Sequence, residues 1–177
     1  LHDAVDDAQP LVEGGEGAGK TTVLNAIETC LRERGLPVLR TREPGGTELA
    51  EAIRGLMLDP RYRGMCAEAE LLLVFAGRAQ HVREKIQPAL AAGRFVLSDR
   101  YVDASYAYQG GGRGLDLAWI ADLDARTTLG IVPDLTLLLD LDPRIGRTRQ
   151  QQRGPGDRIE SEAEAFFERV REAYRAR

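Results

Sequence analysis

The chain has 177 residues, of which 43% are apolar and 29% are charged, and its formal net charge is −4 at pH 7. This length suits a single domain with a sizeable core, and the composition is that of an ordinary globular protein. The acidic balance argues against a nucleic-acid or membrane partner, so a bound anion would need a local cluster of basic residues. The sequence has no apolar run near the roughly 18 residues of a membrane span, and Leu1 to Gln9 is polar, so we expect a cytoplasmic protein.

The chain has two cysteines. Cys30 and Cys66 lack C-x-x-C spacing, which favours reduced, buried thiols.

The first chemical motif is a glycine-rich loop with the sequence EGGEGAGKTT at residues 13–22. The loop fits the phosphate-binding pattern G-x-x-x-x-G-K-[ST] of a P-loop. Glycines let the backbone wrap a triphosphate with its N–H groups, and the following helix directs its electropositive N-terminus at the same anion. Lys20 is then expected to reach the β- and γ-phosphates, and the Thr21 hydroxyl to bind Mg²⁺. The predicted triphosphate-binding residues are Gly14, Gly15, Glu16, Gly17, Ala18, Gly19, Lys20, Thr21 and Thr22.

Strand-like and helix-like stretches alternate along the rest of the chain, which favours a parallel sheet covered by helices. Only two apolar residues separate Pro10 from the P-loop, so the strand that should precede the loop is predicted to be weak. Further strands are predicted at residues 36–41, 94–98 and 134–141, the last as the clearest buried strand. Helices are predicted at about 20–34, 47–58, 67–93 with a kink or end at Pro88, 115–129, 143–153 and 161–177.

Polar clusters follow three of these strands: the P-loop, residues 42–46 (REPGG) and residues 99–101 (DRY). Ligands of an open parallel sheet gather beyond the carboxyl ends of its strands, so we expect the three clusters to share a site. Arg42, Arg78 and Arg100 lie at or near this edge, where guanidinium groups would neutralise a second phosphate. An acceptor phosphate that is already ionised needs no general base, and catalysis then consists of positioning and charge stabilisation. The alternative for each arginine is a solvated surface charge.

A P-loop serves both GTPase switches and phosphotransferases. The only asparagine is Asn25, inside the predicted P-loop helix, so a guanine-reading N-K-x-D motif cannot exist, and the sequence has no D-x-x-G either. A GTPase switch is therefore nearly excluded, and a phosphotransferase is favoured.

Several blocks together resemble the bacterial thymidylate kinase family, in the same order along the chain: residues 13–22, 41–46 (TREPGG), 72–81, 98–101 (SDRY), 108–114 (YQGGGRG) and 133–142. The resemblance implies a P-loop kinase fold, a three-layer α/β/α arrangement with a mostly parallel central sheet. It implies one domain over residues 1–177, with a mobile lid at about 147–158. Relatives continue past Arg177 with a strand and a helix, so the C-terminal part of the family fold is expected to be absent.

The same resemblance implies transfer of the γ-phosphoryl group of ATP to dTMP, giving dTDP for dTTP synthesis, with Mg²⁺ as cofactor and a homodimer as the assembly. Another nucleoside monophosphate kinase of this fold, or a non-catalytic P-loop module, is the alternative. The dTMP-binding residues carried over are Glu16, Arg42, Phe75, Arg78, Arg100, Ser105, Tyr108 and Gln109.

Each carried-over residue has an implied role in holding dTMP. Arg42, aided by Arg100, would grip the phosphate. Arg78 would bond a thymine carbonyl and Phe75 would stack on the ring, although many relatives place the aromatic residue where this chain has Val74. Packing in the core is the alternative for Phe75. Ser105 and Gln109 would contact the base or the sugar edge. Tyr108 would crowd the 2′ position, and Glu16 would lie by the 3′-hydroxyl.

The resemblance also implies a catalytic set. Its members are Lys20, Asp99, Arg100, Arg149, Arg153 and Arg158. Asp99 and Thr21 would bind Mg²⁺, with a strand-end cap as the alternative for Asp99. The P-loop lacks an arginine before Gly19-Lys20, so an arginine of the lid is expected to supply transition-state charge. A solvated helical face is the alternative for the lid arginines.

Overall fold

The computed structural model describes residues 10–152 and 156–177. Four strands form one parallel sheet in the order β2-β3-β1-β4: β1 (Pro10–Gly14), β2 (Val38–Arg42), β3 (Phe95–Asp99) and β4 (Leu135–Leu139). The helices are α1 (Lys20–Glu33), α2 (Glu48–Leu58), α3 (Ala67–His81), α4 (Gln87–Ala91), α5 (Val102–Ser105), α6 (Leu117–Thr127), α7 (Pro143–Gln151) and α8 (Glu164–Ala176). Wide π-helical turns at Val82–Ile86 and Tyr106–Gly112 follow α3 and α5, and a short 3₁₀ turn lies at Pro60–Tyr62.

Helices cover both faces of the sheet because successive side chains of each strand point to opposite sides. Leu11 and Val96 pack on one face, in a cluster with Leu71 and Phe75 of α3. The next residues, Val12 and Leu97, pack on the other face against α1, in the cluster formed by Val12, Leu24, Val38, Phe95 and Leu97. The predicted three-layer α/β/α fold with a parallel central sheet is therefore confirmed.

The strand register places the predicted polar clusters at one edge. Asp99 pairs with Val12 on one side and with Arg42 on the other, and Gly14 pairs with Leu139. Parallel strands end at the same edge, so the P-loop, the segment after β2 and the segment after β3 leave the sheet together.

Two strands differ from their predictions. The first strand is not weak, since β1 lies between β3 and β4 with Leu11 and Val12 buried. Pro10 is tolerated because it is the first residue of the strand, the position where proline does least harm to a sheet. The prediction that β4 is buried is wrong: Leu135 is 53% and Leu138 36% exposed. The reason is that β4 is an edge strand, paired only with β1 within the described ranges.

The helical predictions hold except before Pro88 and near the glycine-rich motif. The predicted helix over 67–93, expected to kink or end at Pro88, is interrupted earlier: a wide turn at Val82–Ile86 separates α3 from α4, and Pro88 lies in the first turn of α4, where its missing N–H is tolerated. The helical path of α5 and the turn after it was not predicted, because three consecutive glycines argue against a helix. The glycines allow α8 to approach closely: a Cβ on Gly112 would lie 2.5 Å from the Phe166 ring. Both cysteines are exposed and free, so the prediction of buried thiols is wrong.

One buried carboxylate ties three elements together behind the P-loop. Glu13 of β1 is fully buried, and its two oxygens accept hydrogen bonds from the Tyr101 backbone N–H (2.8 Å) and the Tyr174 hydroxyl (2.8 Å). Burial raises the pKa of Glu13 to about 7, against the opposing attraction of Arg100 and these hydrogen bonds. The segment after β3 and helix α8 are thus both fixed to the central strand.

Another close contact joins α7 to the P-loop. A Cβ on Gly17 would lie 2.7 Å from the carbonyl oxygen of Gly146, and a Cβ on Gly146 would overlap the carbonyl oxygen of Glu16. Gly55 of α2, by contrast, is exposed and has nothing within 4 Å of its Cβ position.

We expect opposite effects from alanine at these two helical glycines. Gly55→Ala should raise the unfolding free energy by about 0.5–1 kcal/mol, because alanine costs less backbone entropy in a helix. Gly146→Ala should lower it by about 1–3 kcal/mol, because the added methyl group clashes with backbone. Urea unfolding of both variants checks this, and a stabilised Gly146→Ala would contradict the close contact.

The stability of the protein should depend on pH through Glu13. Its folded-state pKa of about 7 lies above the ordinary value of 4.5, so between these values the folded state holds a proton that the unfolded chain has released. Stability from this group is present below pH 4.5 and is lost as the pH rises through 7. Compared with Glu13→Gln, the wild type should therefore lose about 3 kcal/mol of unfolding free energy between pH 4.5 and 8. Urea unfolding at several pH values tests this, and a constant difference between the two proteins would show an ordinary Glu13.

Candidate active site

The P-loop joins β1 to α1 through residues that require left-handed backbone. Gly14, Gly17 and Gly19 have φ values of 138°, 70° and 93°. A side chain at Gly14 would also meet the adjacent strand, since its Cβ would lie 2.6 Å from the carbonyl oxygen of Leu139. Helix α1 begins directly after Gly19, with no acidic residue in its first turn. This loop and helix N-terminus together have the chemistry of an anion-binding site.

Lys20 lies over the loop that precedes it. Its Nζ donates hydrogen bonds to the carbonyl oxygens of Gly14 (3.1 Å) and Gly15 (2.9 Å). Burial and the neighbouring Arg100 lower the pKa of Lys20 to about 8, although Glu16 and Asp99 oppose the shift. The ammonium group is therefore largely charged at neutral pH and lies within the predicted phosphate cradle.

Arg100, Glu16 and Tyr108, from three separate segments, form one cluster. Arg100 adopts a φ of 69°, a left-handed conformation that is uncommon for a non-glycine residue. Its guanidinium group donates to the Glu16 carboxylate and lies 4.8 Å from the centre of the Tyr108 ring. The Tyr108 hydroxyl donates to the same Glu16 oxygen at 3.3 Å. Burial alone would raise the pKa of Glu16, but Arg100 and Lys20 lower it to about 2, so this carboxylate is ionised.

Asp99 has an unsatisfied buried oxygen. No described residue hydrogen-bonds to its Oδ1, and an unpaired buried carboxylate oxygen is costly. Asp99 and Thr21 line the same open cavity above the P-loop. The residues that line this cavity are Glu16, Gly17, Ala18, Gly19, Lys20, Thr21, Thr22, Arg42, Glu43, Arg54, Asp99 and Arg100. Among the described residues no group of three or more His, Cys, Asp or Glu side chains has the arrangement of a metal site, so a cation here would need further ligands from a phosphate or water.

A second cleft lies beside this cavity and contains Arg78. The Arg78 guanidinium is fixed from three directions: Nε donates to Glu43 (2.6 Å), Nη1 to the Ser105 hydroxyl (2.9 Å) and Nη2 to the Tyr101 carbonyl (3.0 Å). Burial would raise the pKa of Glu43, but Arg78 and His81 hold it below its ordinary value. An arginine has five N–H donors, so two remain to bind a ligand. The cleft thus offers a ligand hydrogen-bond donors from a rigid group.

Phe75 does not line this cleft. Its ring is 2% exposed and packs in the core, with the Arg78 guanidinium 4.5 Å from its centre. Val74 lines the cleft instead. The placement of Phe75 supports a role beneath Arg78, and it does not support the predicted direct stacking on a base.

Arg42 and Arg54 lie at the P-loop end of the site. Arg42 lines the open cavity and makes an ion pair with Glu51 (2.9 Å), with side-chain exposures of 54% and 40%. The sequence did not predict Arg54 as a site residue, because a single arginine in an amphipathic helix is typical of a solvated surface. It is half-buried, donates to the Pro44 carbonyl (2.9 Å), and lines both the cavity and the cleft. Burial and the nearby Arg42 and Arg100 lower the pKa of Arg54.

The predicted lid arginines occupy different environments. Arg149 of α7 is exposed and donates from Nη1 to the carbonyl oxygen of Gly17 in the P-loop (2.9 Å). Arg158 is buried away from the loop, where it donates to the Met57 carbonyl (2.6 Å) and pairs with Glu70. Arg153 lies outside the described residues. Of the two predicted catalytic lid arginines that the structure describes, Arg149 is thus the one that contacts the P-loop.

The other residues predicted to bind dTMP lie along the cleft. Ser105, Tyr108 and Gln109 come from α5 and the wide turn after it, and all three line the cleft. Gln109 is buried, and its side-chain nitrogen donates to Glu70 at 2.8 Å. The cavity and the cleft share Glu16, Glu43, Arg54 and Arg100, so the two form one continuous site.

Comparison with known proteins identifies the family to which this site belongs. A family model described as thymidylate kinase matches residues 12–176. The chain is 58% identical over 168 residues to a thymidylate kinase from Halorhodospira halophila, covering 94% of this chain and 78% of that protein. It is 55% identical over 163 residues to one from Pseudomonas putida, covering 92% and 78%. Its structure matches that of thymidylate kinase from Ehrlichia chaffeensis with a TM-score of 0.77 and 31% identity, over 96% of this chain and 81% of that chain. The sequence motifs, the fold and these similarities agree, and the chain belongs to the thymidylate kinase family.

Proposed function

We propose that this protein is a dTMP kinase that transfers the γ-phosphoryl group of ATP to dTMP. The observation that carries the proposal is the continuity of a P-loop cavity with a cleft that contains Arg78, through Glu16, Glu43, Arg54 and Arg100. This arrangement suits two phosphorylated ligands that meet end to end. An oxygen of the dTMP phosphate forms a bond to the γ-phosphorus, the bond to the β–γ bridging oxygen breaks, and ADP leaves.

In this proposal the P-loop binds ATP, the phosphoryl donor. Residues Gly14 to Thr22 would hold the phosphates of ATP, and Lys20 would bind its β- and γ-phosphates. Thr21 and Asp99 would hold Mg²⁺ with help from phosphate oxygens and water, a ligand set that this ion accepts. The unpaired Asp99 Oδ1 supports this assignment. Bound Mg²⁺ would neutralise charge on the transferred group.

The acceptor end is formed by arginines. Arg42, Arg54 and Arg100 would bind the dTMP phosphate, which carries close to two negative charges at neutral pH. With the acceptor already ionised, no residue has to remove a proton. The arginines then stabilise the charge of two approaching phosphates and fix them in line.

The base and sugar are proposed to occupy the cleft. The two remaining N–H groups of Arg78 suit a carbonyl oxygen such as that of thymine, because arginine donates and never accepts. Ser105 and Gln109 would contact the base edge. Tyr108 is fixed against Arg100 and Glu16, so it would crowd a 2′-hydroxyl, while Glu16 would lie near the 3′-hydroxyl.

We also propose a homodimer in the cytoplasm, on the basis of the family and of substrates that are intracellular nucleotides. Exposed apolar side chains support a helical interface: Leu49 (52%) and Leu56 (46%) lie on one face of α2, and Leu72 (49%) lies on α3. No helix in the described part of the chain is long and apolar enough to cross a bilayer.

The first test is the choice of acceptor. With ATP and Mg²⁺, dTMP should give a far higher kcat/KM than dCMP, AMP or GMP, because Arg78 is held in one direction and its free N–H groups suit a thymine carbonyl oxygen. Steady-state coupled assays with each monophosphate measure this. Comparable turnover of a purine monophosphate would instead indicate another nucleoside monophosphate kinase, and no turnover of any acceptor would indicate a non-catalytic P-loop protein.

The second test concerns the lid. Arg149→Ala should lower kcat by about 10²–10³-fold with little change in KM for dTMP, because its charge would act mainly on the transition state. Arg144→Ala is the matched control: Arg144 lies on the same helix, is exposed, and pairs with Glu164 of α8. Its loss should leave kcat within about twofold, as for most surface ion pairs. An unchanged kcat in Arg149→Ala would move the proposed role to Arg153 or Arg158.

A further inference from the structure

Glu70 of α3 is a fully buried carboxylate that the proposed reaction does not use. It nevertheless gathers donors from two distant parts of the chain. Its Oε1 accepts from Gln109 Nε2 (2.8 Å) and Arg113 Nε (3.2 Å), and its Oε2 accepts from Arg113 Nη2 (3.0 Å) and Arg158. Gln109 is the one of these partners that lines the cleft.

Glu70 is held in its ionised form. Burial alone would raise its pKa, but hydrogen bonds from Arg113, Gln109 and Arg158 lower it below the ordinary value. An ionised carboxylate only accepts hydrogen bonds. The group that Gln109 turns towards Glu70 must therefore be its NH₂, which fixes which way the amide faces.

The orientation of the Gln109 amide decides whether the cleft offers a ligand a hydrogen-bond acceptor or a donor at this position. With the NH₂ group directed at Glu70, the carbonyl oxygen at the other end of the amide is the acceptor that Gln109 can offer to the cleft. Arg78, in the same cleft, has only donors. The site therefore offers an acceptor and donors together. A base edge that complements them carries an N–H beside a carbonyl oxygen, as thymine and uracil do. Cytosine has a ring nitrogen that accepts and an amino group that donates, so it mismatches both.

We propose that Glu70 is a positioning residue for base specificity: by holding the Gln109 amide, it makes the cleft select a base with an imide N–H and reject cytosine. This inference rests on the proposed function, since it refines how the dTMP cleft reads its ligand. Glu70 acts through Gln109 and does not touch the substrate.

Glu70→Gln tests the proposal, because the new amide has nearly the same shape but also donates. Gln109 can then turn its amide over and present its NH₂ to the cleft. The ratio of kcat/KM for dTMP to that for dCMP should fall by at least about tenfold, through a higher KM for dTMP and a gain with dCMP. An unchanged ratio in folded Glu70→Gln would overturn the proposal.

Arg113→Gln is the matched control for lost ion pairing. It removes an ion pair to Glu70 and one to Glu162 but leaves the bond between Glu70 and Gln109. This variant should lower the melting temperature and keep the dTMP/dCMP ratio. A ratio that falls equally in Arg113→Gln would show general loosening of the cleft and would also overturn the proposal.

Two further measurements keep the outcome decisive. If Glu70→Gln does not fold, Glu70→Asp replaces it, since this variant keeps the charge but withdraws it by one methylene group. The dTMP/dCMP ratio should then fall by less than the roughly tenfold change expected for Glu70→Gln. An unchanged ratio in Glu70→Asp would overturn the proposal. The wild-type assay separates the two levels of inference. If the wild type does not phosphorylate dTMP, the proposed function itself fails; if it does and the ratio is insensitive to residue 70, only the role of Glu70 fails.

Discussion

The site depends on holding several guanidinium groups together at one edge of the sheet, where they would otherwise repel each other. Each of three arginines at the site is paired with a glutamate from a different segment of the chain: Arg100 with Glu16, Arg78 with Glu43 and Arg42 with Glu51. This pairing explains how a chain with a net charge of −4 presents a basic site. Since desolvation offsets much of the attraction in a buried pair, its main effect here is to fix the direction of each arginine.

The pairs differ in burial, and this divides them by role. Arg78 and Glu43 are 1% and 3% exposed, so their pairing is a permanent part of the structure. Arg42 and Glu51 are 54% and 40% exposed, and such a pair contributes at most about 1 kcal/mol. Arg42 can therefore leave Glu51 for a phosphate at little cost. The Arg78 end of the site is rigid, while the Arg42 end can exchange partners.

The sequence predicted the parts of the site that follow from local patterns. Gly14, Lys20 and Asp99 lie where a P-loop and strand-end residues were expected, because strand order and loop chemistry place them there. Arg54 and Glu70 were not predicted, because their roles depend on which cavity a helix faces, and helical spacing alone does not give that. Phe75 shows the same limit: one position along α3 separates a core residue from the cleft-lining Val74. The burial of β4 was misjudged because an apolar run does not reveal whether a strand has one neighbour or two.

The contact between Gly17 and Gly146 joins main chain to main chain, with no side chain between them. Close-packed backbone transmits displacement directly, since it has no rotamers to absorb the movement. A displacement of helix α7 towards the P-loop would therefore press on its backbone without an intervening side chain. The position of α7 thus bears directly on the shape of the P-loop.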